Sequence, residues 1–230
     1  MQRLRVRFGR GNEVKFISHL DIMRFWERAF RRAMIPVAYS EGFTPHPRIS
    51  LAAPLPVGVT SDAELMDVVV NGWISPQGFT ANVSQQLTPG FSILEVMPVS
   101  PSLPSLQSLV SMAEYRVDVT GEKNETEIKE AFAGLLARPS IPWHHKRDTG
   151  EKTYDLRPLV DNFWLISPNP CESDNCFSLG MRLRCGNAGS GRPEQVAAAL
   201  GFSTYPQSIH RTRLILDAGL PAAREGLERD

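Results

Sequence analysis

The sequence predicts an α+β chain of two successive β-α-β-β-α-β units with antiparallel sheets. Three observations carry that expectation. Segments of period two (residues 2–8, 63–70, 114–119 and 177–185) alternate with segments of helical period, the longest at 18–34 and 125–137. Gly, Pro and Asn clusters separate them. A Ser/Pro/Leu-rich stretch at 100–111 divides the chain into halves of similar order. That order defines the ferredoxin-like split βαβ unit. The expected layout is two tandem ferredoxin-like units, residues 1–100 and 113–217, joined by a connector at 101–112 and followed by a mobile tail at 218–230.

Taken in order, residues 2–8 put Leu4, Val6 and Phe8 on one strand face and Arg3, Arg5 and Arg7 on the other. Gly9-Arg10-Gly11-Asn12 is a turn. Ser18 followed three residues later by Asp21 reads as a capping box with Asp in place of Glu. Leu20, Met23, Phe30 and Met34 then share a helix face, widened by Ile22, Trp26, Ala29 and Ala33. Arg24, Arg28, Arg31 and Arg32 line the other side, and Pro36 stops the helix. Short strands are expected at 37–39 and 49–53, a longer one at 63–70, a helix at 76–87 opened by Pro76, and a strand at 92–99.

In the second half, strands at 114–119, 143–147, 163–167, 177–185 and 208–216 surround helices at 125–137 and 193–200. Tyr154-Asp155-Leu156-Arg157-Pro158-Leu159-Val160 reads as a turn between two of those strands. The second unit therefore carries an added hairpin strand. No residue repeat links the halves, so the duplication is one of topology.

Residues 15–56 hold the densest set of site-forming side chains. The helix offers four arginines whose planar forks suit phosphate oxygens, and a solvated helix face is the ordinary alternative. The loop after it, Tyr39-Ser40-Glu41-Gly42-Phe43-Thr44-Pro45-His46-Pro47-Arg48, fixes His46 between two prolines and allows a positive φ at Gly42. Such a stiff polar loop resembles a binding loop on a scaffold. The expected binding residues are Lys15, Arg24, Arg28, Arg31, Tyr39, Ser40, Gly42, Phe43, His46, Arg48, Arg157 and Arg192, with His46 and His19 as the catalytic candidates. Arg157 stands against Pro158, and Arg192 follows a Gly-rich loop that opens a helix without the spacing of a phosphate-binding loop.

Net charge is zero, yet residues 1–55 hold ten basic side chains against four acidic ones. Residues 62–130 hold ten acidic against three basic. A neutral chain with a basic end has a preferred face for an anionic partner. No apolar run is long enough to span a membrane, and the alternating charged start is no signal peptide, so a cytoplasmic location is expected. Cys171, Cys176 and Cys185 form C-x4-C-x8-C, an odd set expected as thiols and too loosely spaced for a metal site.

The strings KFISHLDIMR, ERAFRRA and YSEGFTPHPRISLAAPLPVGV resemble the N-terminal signature of a bacterial family of radical SAM-associated, or radical SAM-linked, proteins, a domain of unknown function. The resemblance is dense over residues 1–70 and continues in outline through YDLRPLV and GRPEQVAAAL to IHRTRL. It implies a radical SAM protein as partner, either as a separate chain or as the protein to which such a domain is appended. It also implies a gene neighbourhood of ribonuclease E/G and ribosomal proteins. The family supplies no catalytic residues to carry over. The C-x-x-x-C-x-x-C triplet of radical SAM enzymes is absent from this sequence. Cofactors are therefore expected to be none on this chain, with the iron–sulfur cluster and S-adenosylmethionine on the partner.

Three functions compete at this point. The first is a non-catalytic accessory module that binds RNA or presents a substrate to the radical SAM enzyme. The second is a metal-independent endoribonuclease using His46 or His19, with Arg24, Arg28 or Tyr39 stabilising the phosphorane. Its architectural analogy is to the repeat-cleaving endoribonucleases of CRISPR systems, and fold alone does not fix function. The third is a protein–protein adaptor.

Overall fold

A computed structural model of the chain describes residues 1–147, 150–167, 175–186 and 189–217. The expected mobile tail and Cys171 lie outside the described residues. The first half contains β1 (Gln2–Arg10), α1 (His19–Arg32), β2 (Ile49–Leu51), β3 (Thr60–Val70), α2 (Pro76–Ser84) and β4 (Phe91–Val99). The second contains α3 (Leu106–Leu109), β5 (Val110–Thr120), α4 (Glu125–Ala137), β6 (Pro142–Arg147), β7 (Gly150–Asp155), β8 (Val160–Ser167), β9 (Cys176–Arg184), α5 (Pro193–Ala199) and β10 (Ser208–Leu216).

The architecture is mixed α+β with a largely antiparallel sheet. Seven strands run in the order β4-β1-β3-β10-β5-β9-β8, and β2 adds to β3. Every pairing within each half is antiparallel. The expectation of separate sheets is corrected: β10 pairs with β3 in parallel over His210↔Thr60 and Arg211↔Ser61, which fuses the halves into one sheet. β6 and β7 form their own hairpin. β7 was unexpected, because Gly150-Glu151-Lys152-Thr153 shows no apolar alternation. Residues 37–39 make isolated bridges, Val37↔Val70 and Tyr39↔Pro47, in place of a strand.

The Ser18 cap forms as expected: its hydroxyl oxygen accepts from the Asp21 N–H at 3.3 Å. α1 buries Ile22, Trp26, Ala29 and Phe30 against Leu4, Val6, Phe8, Met66 and Val68. Leu20 and Met34, expected on that face, are exposed. Leu20 precedes the stripe centred on Trp26, and Met34 lies past the last turn at φ +55°. Trp26 is fully buried, edge-on to Phe8 at 5.0 Å and stacked on Phe30 at 5.5 Å.

In the second core, Tyr115, Val117 and Val119 of β5 pack with Ile128, Phe132 and Leu135 of α4. Trp164 lies directly opposite Gly180 across β8 and β9. A Cβ at Gly180 would overlap the Trp164 indole. Gly180→Ala is expected to cost about 1–3 kcal/mol by displacing the ring, read as a lower urea midpoint.

A buried ion pair spans the seam between the halves. Arg211 of β10 donates from Nε and Nη2 to both oxygens of Glu64 on β3, at 2.8 and 2.6 Å, and from Nη2 to the Ala53 carbonyl at 3.2 Å. Both residues are buried. Burial alone would lower the Arg211 pKa, but Glu64 and Tyr115 hold it above the ordinary value. Burial pushes the neighbouring Tyr115 phenol up to about 12. The unfolded chain then loses that proton first, so this contribution is intact below about pH 10 and declines as pH rises toward 12. A loss of about 2–3 kcal/mol across that window is expected, and Tyr115→Phe should flatten it in urea titrations at pH 9, 10 and 11.

Candidate functional site

The loop singled out in the sequence is built as a hairpin against the end of β3. Ala38 N–H donates to the Val69 carbonyl at 2.8 Å, and Val69 N–H donates to the Arg48 carbonyl at 3.0 Å. Arg48 N–H donates to the Ala38 carbonyl, and Ser40 N–H to the His46 carbonyl, both at 2.8 Å. His46 N–H donates to the Ser40 hydroxyl at 3.0 Å. Pro45 and Pro47 alternate with these two donors, so the prolines occupy the positions where no N–H is used. Gly42 turns the tip at φ +123° and leaves Phe43 fully in solvent.

This hairpin walls a cleft of about 470 Å³ lined by Ser40, His46, Arg48, Ser50, Gln2, Arg3, Asp67, Val69, Pro101 and Ser105, among others. The floor is charged. Asp67 is buried between two arginines from β1. Arg3 donates to Asp67 Oδ2 from Nε at 2.9 Å and from Nη2 at 2.5 Å. Arg5 donates from Nε to Oδ1 at 2.8 Å and from Nη2 to Oδ2 at 3.0 Å. Two guanidinium groups against one carboxylate leave the triad one positive charge in excess. Arg3 is held further by the Leu103 and Pro104 carbonyls of the connector, at 2.7 and 2.9 Å. Arg48 stands exposed at the rim with no carboxylate within 4.0 Å among the described residues. The cleft is therefore a cationic surface whose rim guanidinium contacts the Met1 thioether at 3.8 Å and no carboxylate among the described residues, a setting that favours an anion over a neutral or cationic ligand.

Of the residues expected from sequence, the cleft brings together Ser40, His46 and Arg48. Tyr39, Gly42 and Phe43 belong to the same hairpin but do not line it. α1 lies over the strand face formed by Leu4, Val6 and Phe8, whereas Arg3, Arg5 and Asp67 alternate onto the opposite face. His19, Arg24, Arg28 and Arg31 are therefore separated from His46 and Arg48 by the sheet. Lys15 is placed before α1, with Nζ 5.3 Å above the Phe16 ring. His46 is therefore not assembled with Arg24 and Arg28 around one point, whereas Tyr39 shares its hairpin and His19 shares α1 with the two arginines.

Arg157 is committed to structure: it donates to the Leu136 and Val160 carbonyls at 3.2 and 2.8 Å. Asp155 accepts from the Ile141 and Arg157 N–H groups, which hold its carboxyl below the usual range. Arg192 opens α5, 3.9 Å from Glu194. Cys185 is a buried free thiol whose pKa burial raises. Cys176 is disulfide-bonded, which corrects the expectation of a free thiol there. Among the described residues no group of three or more His, Cys, Asp or Glu side chains is placed to hold a metal ion. No described helix is long and apolar enough to cross a membrane.

Arg3, Arg5, Ser50, Asp67 and Ser105 were not expected at a site. Alternation alone marks Arg3 and Arg5 as the solvent side of a strand. The connector that covers them is a hundred residues away in sequence from Arg3. The charge sign of residues 1–55 was the available signal.

Fold and cleft together define an α+β protein with a cationic groove on one face of its sheet. The chain belongs to the family described as "Uncharacterized protein conserved in bacteria (DUF2344)", which matches residues 3–193. No curated protein matches it. Among solved structures it is similar to a Cbf5-Nop10-Gar1 complex (TM-score 0.48, 10% identity, 92% of this chain and 48% of that chain). It is also similar to an archaeal box H/ACA sRNP Nop10-Cbf5 complex (0.45, 10%, 92% and 47%). A third is an H/ACA RNP bound to a substrate RNA containing 2'-deoxyuridine (0.46, 10%, 93% and 47%). The chain spans about half the length of each of these three. At TM-scores below 0.5 these likenesses define neither fold nor function.

Proposed function

We propose that this chain is a non-catalytic accessory module that binds the phosphate backbone of RNA in the Arg48 cleft. The observation that carries the reading is a guanidinium without a carboxylate partner among the described residues, standing beside a triad with excess positive charge. Each RNA phosphate offers acceptor oxygens matched to the arginine fork. Ser40 and Ser50 add hydroxyl donors on the cleft walls. The scaffold is read as two ferredoxin-like units, supported by the equivalent strand orders β4-β1-β3-β2 and β10-β5-β9-β8. A radical SAM protein is the proposed enzyme partner, supported by the resemblance of KFISHLDIMR and YSEGFTPHPRISLAAPLPVGV alone.

The reading is tested by fluorescence anisotropy with a labelled single-stranded RNA 20-mer. Affinity should fall with salt. Arg48→Gln should weaken binding and reduce the logarithmic salt slope by about 0.7, the contribution of one phosphate contact to a single strand. An unchanged slope would remove Arg48 from the site. The RNA should remain intact; cleavage by wild type that disappears in His46→Ala would replace the accessory reading with the endoribonuclease one.

A further inference from the structure

α1 presents a second surface, on the side of the sheet away from the cleft. Phe16, Leu20 and Val57 are 72%, 67% and 57% exposed. Their backbone is nonetheless firmly tied. The buried Arg10 guanidinium donates to the carbonyls of Val14, Lys15 and Ile17 at 3.1, 2.9 and 2.7 Å, and to Leu55 at 3.4 Å. Gly58 N–H donates to the Lys15 carbonyl at 2.8 Å, and a Cβ at Gly58 would lie 3.8 Å from the Phe16 ring. Phe16 and the 57–58 turn are thus neighbours on a pinned scaffold. Exposed apolar side chains on an ordered backbone mark an interaction surface more strongly than the same residues on a loose loop.

Leu20 also heads a ridge that continues through Arg24, Arg28 and Arg31 at helical spacing. Arg24 makes one long exposed contact, 3.5 Å to Asp21. Arg28 and Arg31 have no carboxylate within 4.0 Å among the described residues.

We propose that this surface docks an acidic segment of a partner protein, with apolar anchors seated on Phe16, Leu20 and Val57 and carboxylates along the arginine ridge. A protein segment fits better than RNA. Leu20 and Val57 carry no ring face on which a base stacks, and apolar side chains are what relieve their exposure. The ridge then supplies charge complementarity and orientation. This inference is independent of the cleft and does not need RNA to bind there.

The test places a benzoylphenylalanine photocrosslinker at position 20 of the full chain in cells, identifies the crosslinked peptide by mass spectrometry, and titrates that segment as a synthetic peptide. The expected segment is acidic with apolar residues. Its affinity should fall with salt and drop at least tenfold in Leu20→Asp and in Arg28→Glu, while Arg48→Gln leaves it unchanged. Circular dichroism verifies that these exposed substitutions keep the fold. Crosslinks to RNA, to a second copy of the chain or to a neutral or basic segment would overturn the proposal. So would the absence of a crosslink, or a peptide that binds both variants like wild type.

Discussion

Arg211→Met is expected to destabilise the protein by about 3–5 kcal/mol, measured as the shift in urea unfolding free energy. The substitution strands the buried Glu64 carboxylate, whose ion-pair partner among the described residues is Arg211. A buried charge without its partner carries the full desolvation penalty. Glu64→Leu alone should cost a similar amount, because it strands Arg211. The double replacement, Glu64→Leu with Arg211→Met, should recover most of the loss, since two apolar groups of similar volume need no counter-charge. Equal costs for single and double variants would show that the seam depends on packing and not on the ion pair. The ion pair's place is also informative: β3 and β10 share only two registered pairs, so side chains must supply much of what joins the halves.

Trp26→Ala should cost about 3–5 kcal/mol, because the fully buried indole fills the space between α1, Phe8, Phe25, Phe30 and Phe91. Trp26→Phe should cost far less than loss of volume alone implies. The Trp26 Nε1 donor is buried with no acceptor among the described residues, and phenylalanine removes it. A Phe variant as damaged as the Ala variant would mean that the six-membered part of the indole is indispensable to packing. Urea midpoints of the two variants decide this directly.

The local grammar of the fold was legible. Period-two alternation located β1, β3, β5 and β9, and the Ser18 cap and Pro36 stop bracketed α1. Two prolines around His46 marked a hairpin that does wall a cleft. What remained hidden was long-range or weakly patterned. Glu64 and Arg211 lie 147 positions apart, and Arg3 and Asp67 lie 64 apart, so neither pairing has a local signature. β7 has too little apolar alternation to announce a strand. The dense stretch 15–56 also misled in one respect. Closeness in sequence suggested one site, but the strand pleat sends the floor of the cleft and the seat of α1 to opposite faces.

That division makes one comparison decisive. RNA anisotropy titrations at 50 and 200 mM salt on wild type, Arg48→Glu and an Arg24→Glu/Arg28→Glu double variant test the central claim. The expected result is salt-sensitive binding in wild type, at least a tenfold loss in Arg48→Glu, and near-wild-type affinity in the helix variant, whose charges lie across the sheet. Binding that survives Arg48→Glu but collapses in the helix variant would contradict the cleft and move the RNA surface to α1. No binding at 50 mM salt would contradict RNA recognition by this chain altogether.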